Sequence, residues 1–582
     1  MDDATAPSTV TDALLTLWMT ARMLPLPLLM RWKVAHIRLI FRASSSDGAH
    51  REARCERGTG GMSPRTLGGA AGPDADADFW RWASSRGVVA VRCESRDVAE
   101  GWRGIVATEV IERAAVVLRV PGALLMSARS MNEDAQLCDA FRAYDSSPGA
   151  MTPADKLATH LLREASKGRD SPWHTYISRL PRTYNLLCVW TRRERAMLQD
   201  PRAIAVAERA RHATRTSWRR ARGVLASLGM TSTDGWGTIR AWRWAHCAVS
   251  SRTVHVPFHA AGALCPVGDM FNYAPPPPPH GHVVVGTPLE GGVGKVKADE
   301  EQEEKDEDAD DADDASGSGD GSWDEDSGEY VFRARRRYAA GEQIMLCYGR
   351  HTNLGLLEHY GFLLDGDEKA SNPHDSVEVS LAFNIDDGND DDDEPTIVRA
   401  SAVDGSLEWD AVRGLRLWAA GGYVRCDKRT RDAAANGVSI GASNERKAFG
   451  AVVDAAALAL TSTLATTARD DLDVLTRCRA ARWGDDGDGD VVVGEEEPGV
   501  APREWYIRDD DSDSEDEEED SVPSEAGCSE VDPESNAGLA LRWRLCHKRG
   551  LQRTYRAAAA RVEEASRDAA AVGSGPPRFQ RG

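Results

Sequence analysis

A tyrosine at the end of a short apolar strand is the residue in this chain best placed to do chemistry. Gln343-Ile344-Met345-Leu346-Cys347 has the length and composition of a buried strand, follows a tight turn at Gly341-Glu342, and delivers Tyr348 at its end. A phenol there can face a cleft. Asn353 is placed to cap a helical turn carrying Leu354, Leu357 and Tyr360, which Gly361 ends. Tyr348, Tyr360 and Phe362 thus converge in one unit, and aromatic faces hold cations. The same residues would equally build the core of a plain strand-helix corner, and the segment alone leaves both readings open.

Three other groups have residue types suited to a site. In Glu100-Gly101-Trp102-Arg103-Gly104 the two glycines bracket a turn whose backbone can approach a ligand closely, and Val116 to Val120 is an apolar strand closed by Pro121. Arg252 lies just beyond a predicted helix in Trp242–Val254 that ends near Ser250-Ser251, with a structural ion pair as its simplest role. Asp269, Asn272 and Tyr273 follow an apolar run. Between these lie helical segments: Lys156 to Arg163, Asp170 to Gln199, and a face formed by Trp218, Ala221, Leu225 and Leu228. Core packing accounts for all of them without chemistry.

The elements that must position these residues are interrupted by acid. The chain has 582 residues, enough for two or three domains, and a formal charge of −22. Asp299–Glu329 carries 17 acids and one Lys, and Asp386–Glu394 carries 7 acids, so the rest sums to +1 and its folded part is basic. Such tracts bury too little apolar surface to order themselves and read as insertions in loops. The eleven cysteines form no CxxC pair and have no histidines at metal spacing, which indicates neither a zinc site nor a disulfide framework. The stretch Ala13–Met30 is broken by Arg22, Pro25 and Pro27 and does not read as a membrane span. Residues 1–78 are expected to be a disordered or transit-like extension, with Met62 as an alternative initiator.

The run GEQIMLCYGRHTNLGLLEHYGF, Gly341–Phe362, resembles the C-terminal signature of SET domains, in particular the split-SET methyltransferases related to the Rubisco large-subunit methyltransferase. The segment EGWRGIVATEVIERAAVVLRVP resembles the N-terminal SET element. SPWHTYISRLPRTYN resembles the PWxxYIxxLP motif of the family's helical insert, and LCPVGDMFNY resembles LVPxxDxxNH with Tyr273 in place of His. Two further departures are a Gly turn one residue longer and Ala114-Ala115 where Gly-Glu is usual.

The resemblance implies an α+β fold: a SET β-fold with a pseudoknot over residues 79–365, holding a helical insert at about 130–250 and a disordered acidic insertion at about 280–329, followed by a mainly helical C-terminal domain over 366–582 with acidic loops. It implies a protein N-methyltransferase using S-adenosyl-L-methionine and no metal, with lysine as acceptor and histidine as a further one. Tyr348 would be catalytic. Glu100, Gly101, Trp102, Arg103, Gly104, Arg252, Asp269, Asn272 and Tyr273 would hold the cofactor, and Tyr360 and Phe362 would line the acceptor channel. The expected partner is a protein substrate, a basic one if the acidic tracts steer it, with no nucleic acid or membrane. A soluble intracellular monomer is expected, in chloroplast, cytoplasm or nucleus. The reading from a different class is a non-catalytic SET-derived module that binds a basic protein.

Overall fold

The computed structural model describes residues 73–99, 102–145, 150–277, 321–366, 371–381, 383, 385, 396–482, 532 and 534–573. Expectations that fall on the other residues, including most of the acidic tracts and residues 1–72, lie outside the description. The first helix, α1 (Pro73–Ser85), starts ahead of the expected boundary at residue 79. Its acidic start looks like linker by composition, but Asp76 pairs with both Arg103 and Arg179, while Phe79 and Ala83 are buried in the main core.

Strands β1 (Val89–Ala90), β2 (Cys93–Ala99), β3 (Trp102–Ala107) and β4 (Val116–Pro121) follow. Because β2 and β3 pair antiparallel, Gly104 is not part of the turn expected there but a strand residue, opposite Arg96. The helical insert contains α2 (Pro153–Ser166), α3 (Pro201–Ser227) and α4 (Ile239–Arg252). Each starts on a side-chain cap that satisfies orphan amides: Thr152 with Asp155, Asp200, and Thr238. Trp190, Trp242 and Trp244 are fully buried among these helices and join the main core cluster.

After α4 come β5 (Thr253–Val256), β6 (His259–Leu264), β7 (Asn272–Tyr273), β8 (Gly321–Asp324), β9 (Glu329–Arg333) and β10 (Gln343–Leu346). One sheet has the order β1-β4-β9-β8 and the other β2-β3-β10-β7, with β5 and β6 forming a separate pair. The last residues of the expected acidic insertion are therefore ordered: β8 and β9 form a hairpin over 321–333. Trp323 explains this. Its ring meets that of Phe258 edge-on at 5.1 Å, and the Arg129 guanidinium lies 3.8 Å from the Phe258 centroid and 4.9 Å from that of Trp323. An aromatic anchor outweighs the surrounding charge.

Beyond β10 lie α5 (Asn353–His359), β11 (Ser376–Ser380), β12 (Ile397–Ser401), α6 (Trp409–Ala419), α7 (Ala442–Leu458), α8 (Ala468–Arg482) and α9 (Asn536–Gly573). Strands β11 and β12 pair antiparallel, and the other elements described beyond residue 371 are helices. Leu539, Ala540 and Trp543 at the start of α9 belong to the same buried cluster as the first sheets, so the final helix shares the core of the first half. Ion pairs reinforce that join. Arg542 chelates Asp365, and buried Asp471 of α8 is shared by Arg544 and Lys548 of α9. Among the described residues no single helix is long and apolar enough to cross a membrane.

Candidate active site

Strand β10 is the centrepiece because of where it enters the sheet. It pairs antiparallel with β3 (Gln343 opposite Val106, Ile344 opposite Ile105) and parallel with β7 (Met345 opposite Asn272, Leu346 opposite Tyr273). It thus joins strands from distant parts of the sequence and brings Tyr348, just past its end, beside Tyr273. The Tyr348 hydroxyl donates to the Phe271 carbonyl, and its ring centroid is 5.2 Å from both Tyr273 and Tyr360. Phe362 closes the group, 6.0 Å from Tyr273 and 6.1 Å from Tyr360. The expected convergence of Tyr348, Tyr360 and Phe362 is present, with Tyr273 as a fourth ring.

Tyr273 is fully buried, and its hydroxyl donates to the Gly349 carbonyl at 2.9 Å, bracing the turn that carries Tyr348. Its ring packs with Leu356, Phe362 and Leu364. Burial raises its phenol above the ordinary range and pushes Tyr360 up to about 12, so both rings stay neutral at physiological pH. Such rings offer aromatic faces and hydroxyl dipoles, not charge.

Asn272 is 2% exposed and its Nδ2 donates to the Arg103 carbonyl at 3.0 Å. The amide therefore fastens the β7 end to β3. Gly104 sits at the same junction: a Cβ there would strike the Gln343 side chain and approach Asn272 Nδ2 to 3.0 Å. Glycine at that point leaves the Gln343 and Asn272 side chains the positions they occupy; a larger residue would displace them. Among the described residues Gln343 Nε2 is buried without a hydrogen-bond partner, beside this junction. The Arg103 side chain points elsewhere, pairing with Asp76 and, at 3.2 Å, with Asp97. Trp102 opens β3 opposite Ala99, while Glu100 and Gly101 lie outside the described residues.

Arg252 and Asp269 form a buried ion pair. Arg252 Nη1 donates to Asp269 Oδ2 at 3.1 Å and to its carbonyl at 3.2 Å, and Tyr176 donates its hydroxyl to Asp269 Oδ2 at 3.1 Å. The side chains are 8% and 4% exposed. Burial opposes charge on both partners and raises the Asp269 carboxyl, while the carboxylate restores and strengthens protonation of Arg252. A guanidinium does not release its proton, so Arg252 stays charged beside the carboxyl. Arg252 is the last residue of α4, not beyond it, and ties that helix to the segment leading into β7. Tyr176, from the PWxxYI motif, completes the tie from the insert.

Four neighbours, His351, Thr352, Asp375 and Phe271, were not singled out in the sequence. His351 approaches the Tyr348 carbonyl through Nε2 at 3.1 Å and lies 5.3 Å from Tyr360 ring to ring. Only an N–H can complete that contact, which assigns the proton to Nε2. Thr352, not Asn353, caps α5, accepting from Gly355 N at 3.1 Å. Asn353 instead donates from its backbone and side chain to the two oxygens of Asp375, at 2.9 and 3.0 Å. The fourth, Phe271, offers only its carbonyl. The run of aromatic and histidine residues around Tyr348 was a signal for His351; none existed for a backbone carbonyl 77 residues away.

No family model matches the chain. Among curated proteins it is 33% identical over 325 residues to "Protein SET DOMAIN GROUP 40" of Arabidopsis thaliana, spanning 55% of this chain and 60% of that protein. It is 26% identical over 242 residues to mouse "SET domain-containing protein 4", covering 40% and 45%. Identity to the human "Actin-histidine N-methyltransferase" is 26% over 312 residues, covering 52% and 44%. The chain thus spans about 60% or less of the length of these relatives. Among solved structures, the SET domain of LSMT bound to lysine and AdoHcy superposes with a TM-score of 0.51 at 16% identity, over 87% of this chain and 98% of that one. Rubisco LSMT bound to AdoMet gives 0.50 at 17%, over 87% and 97%. With β10 inserted between β3 and β7 and Tyr348 at its end, this chain has the fold of the Rubisco LSMT SET domains and is similar in sequence to SET-domain proteins.

Proposed function

We propose that the protein is an S-adenosylmethionine-dependent protein N-methyltransferase with lysine as its acceptor. The observation that carries this reading is the Tyr348 hydroxyl, set by the Phe271 carbonyl among the rings of Tyr273, Tyr360 and Phe362. With its proton engaged, the phenol oxygen presents lone pairs that orient an acceptor nitrogen. The rings enclose that nitrogen in apolar surface, which favours the uncharged amine over the ammonium, and their faces accommodate a methylated cation. Alignment does most of the work in such a transfer.

The β3–β7–β10 junction suits the cofactor. Gly104 keeps the strand free of a side chain, and the buried Gln343 amide has a donor to spare. When bound, S-adenosylmethionine would supply an electrophilic methyl group on a sulfonium. Gly104, Trp102 and the backbone around Asn272 would hold it, together with Glu100 and Gly101, which the sequence assigns to the same role. Asn272, Tyr273, Arg252 and Asp269 support that site from behind through their own bonds, a positioning role and not direct contact. The solved neighbours' complexes with lysine, AdoMet and AdoHcy support both cofactor and acceptor.

Histidine is the second reading, favoured by the relatives named actin-histidine N-methyltransferase. The test is transfer of label from S-adenosylmethionine into cell extract by wild type and Tyr348→Phe, followed by identification of the modified residue. Label on lysine that falls at least ~100-fold in the variant is expected. Label on histidine overturns the acceptor assignment. Cofactor binding with no label in any protein overturns the enzyme and leaves a binding module.

A further inference from the structure

A cleft of about 960 Å³ adjoins the aromatic site along His351. Its walls come from three places: the start of α3 in the insert, the turn after Tyr348, and the β11–β12 hairpin with α9. Its acids are largely committed within the protein. Glu378 lies between Arg202 at 3.1 Å and Arg399 at 3.0 Å. Asp200 accepts the amides of Arg202 and Ala203 at the start of α3 and faces His547 at 3.6 Å, while Asp375 is engaged by Asn353. Glu408 also lines the cleft, its amide donating to the Arg399 carbonyl and its carboxylate adding to the charge that favours protonated Arg399.

Two cations differ from all of these. Arg350, two residues past Tyr348, and Arg209 on α3 both line the cleft and are exposed, and neither has an ion-pair or hydrogen-bond partner among the described residues. Two exposed guanidiniums in a cleft that adjoins the acceptor site suit bidentate binding of carboxylates.

We propose that this cleft receives the acceptor segment of the protein substrate and selects one bearing carboxylates beside the methylated residue, held by Arg350 and Arg209. This rests on the methyltransferase reading above and adds the substrate class to it. It runs opposite to the basic partner suggested by the acidic tracts, whose charge lies in other stretches of the sequence. Arg350 sits close enough to Tyr348 that a carboxylate it holds would stand within a few residues of the acceptor.

The test uses the full chain and two short fluorescent peptides with a central lysine, one flanked by Glu and one by Arg, read by anisotropy at low and high salt. Wild type is expected to prefer the Glu peptide, with affinity that falls as salt rises. Arg209→Glu/Arg350→Glu, both at exposed unpaired positions, should keep the wild-type melting temperature and bind the Glu peptide roughly tenfold more weakly. Preference for the Arg peptide, no binding of either, or unchanged Glu-peptide affinity in the variant overturns the proposal. Binding of labelled S-adenosylmethionine is measured in parallel. If that fails while the peptide dependence holds, the methyltransferase reading falls and the cleft's selectivity stands.

Discussion

Replacing Asp269 with Asn tests whether the Arg252–Asp269 pair is a structural brace behind the site. The substitution preserves shape and can keep the contact with Tyr176, but removes the charge facing a guanidinium that is 8% exposed. An uncompensated buried charge costs about 3–5 kcal/mol. Near the midpoint of thermal unfolding, that corresponds to roughly 6–20 °C in a domain of this size. The double variant Arg252→Met/Asp269→Leu removes both charges together and should recover much of the loss, since a buried pair exchanged for apolar groups is often neutral. Differential scanning fluorimetry on wild type, both single variants and the double variant gives the coupling directly. A loss under about 1 kcal/mol for Asp269→Asn, or strict additivity in the cycle, would refute the brace. Loss of cofactor affinity with no change in melting temperature would return both residues to direct cofactor contact.

Other outcomes follow from the same geometry. Gly104→Ala displaces the ends of the Gln343 and Asn272 side chains, and should cost about 1–3 kcal/mol of stability and weaken binding of labelled S-adenosylmethionine. Tyr273→Phe leaves the Gly349 carbonyl without its donor, and should destabilise by about 1–3 kcal/mol and lower turnover by loosening the Tyr348 turn. Asp375 is raised by burial to about 6, although one side of the residue reaches the adjoining cavities. A carboxyl raised on folding contributes stability that is complete below its unfolded value near 4 and lost as pH rises through about 6. Wild type should therefore lose about 1–3 kcal/mol relative to Asp375→Asn between pH ~4 and ~7 in urea titrations.

Local pattern made β10, α5 and the ring cluster legible, because a short apolar run and a helical turn are set by neighbours in sequence. What stayed hidden depended on distant partners. Arg252 and Asp269 could be named together but not recognised as bonded to each other, since burial decides whether such groups contact a ligand or one another. Asn353 has the chemistry of a cap, yet Thr352 takes that role because Asp375, 22 residues on, claims the asparagine. Trp323 was lost in an acidic window whose average charge concealed one aromatic anchor. Gly104 looked like a turn residue; its real constraint is the side chain of Gln343 on a strand far along the chain.

The late arrival of β10 also sets a timetable for folding. β3 and β7 cannot complete their sheet until a strand starting at Gln343 has been synthesised, so a nascent or truncated chain lacking it has no sheet centre and no Tyr348. Contacts of that sequence separation slow folding. The 47 residues between Tyr273 and Gly321 lengthen the wait but add little thermodynamic burden. Insertions at that point can therefore grow between generations at small energetic cost, while any truncation upstream of Phe362 removes the site outright.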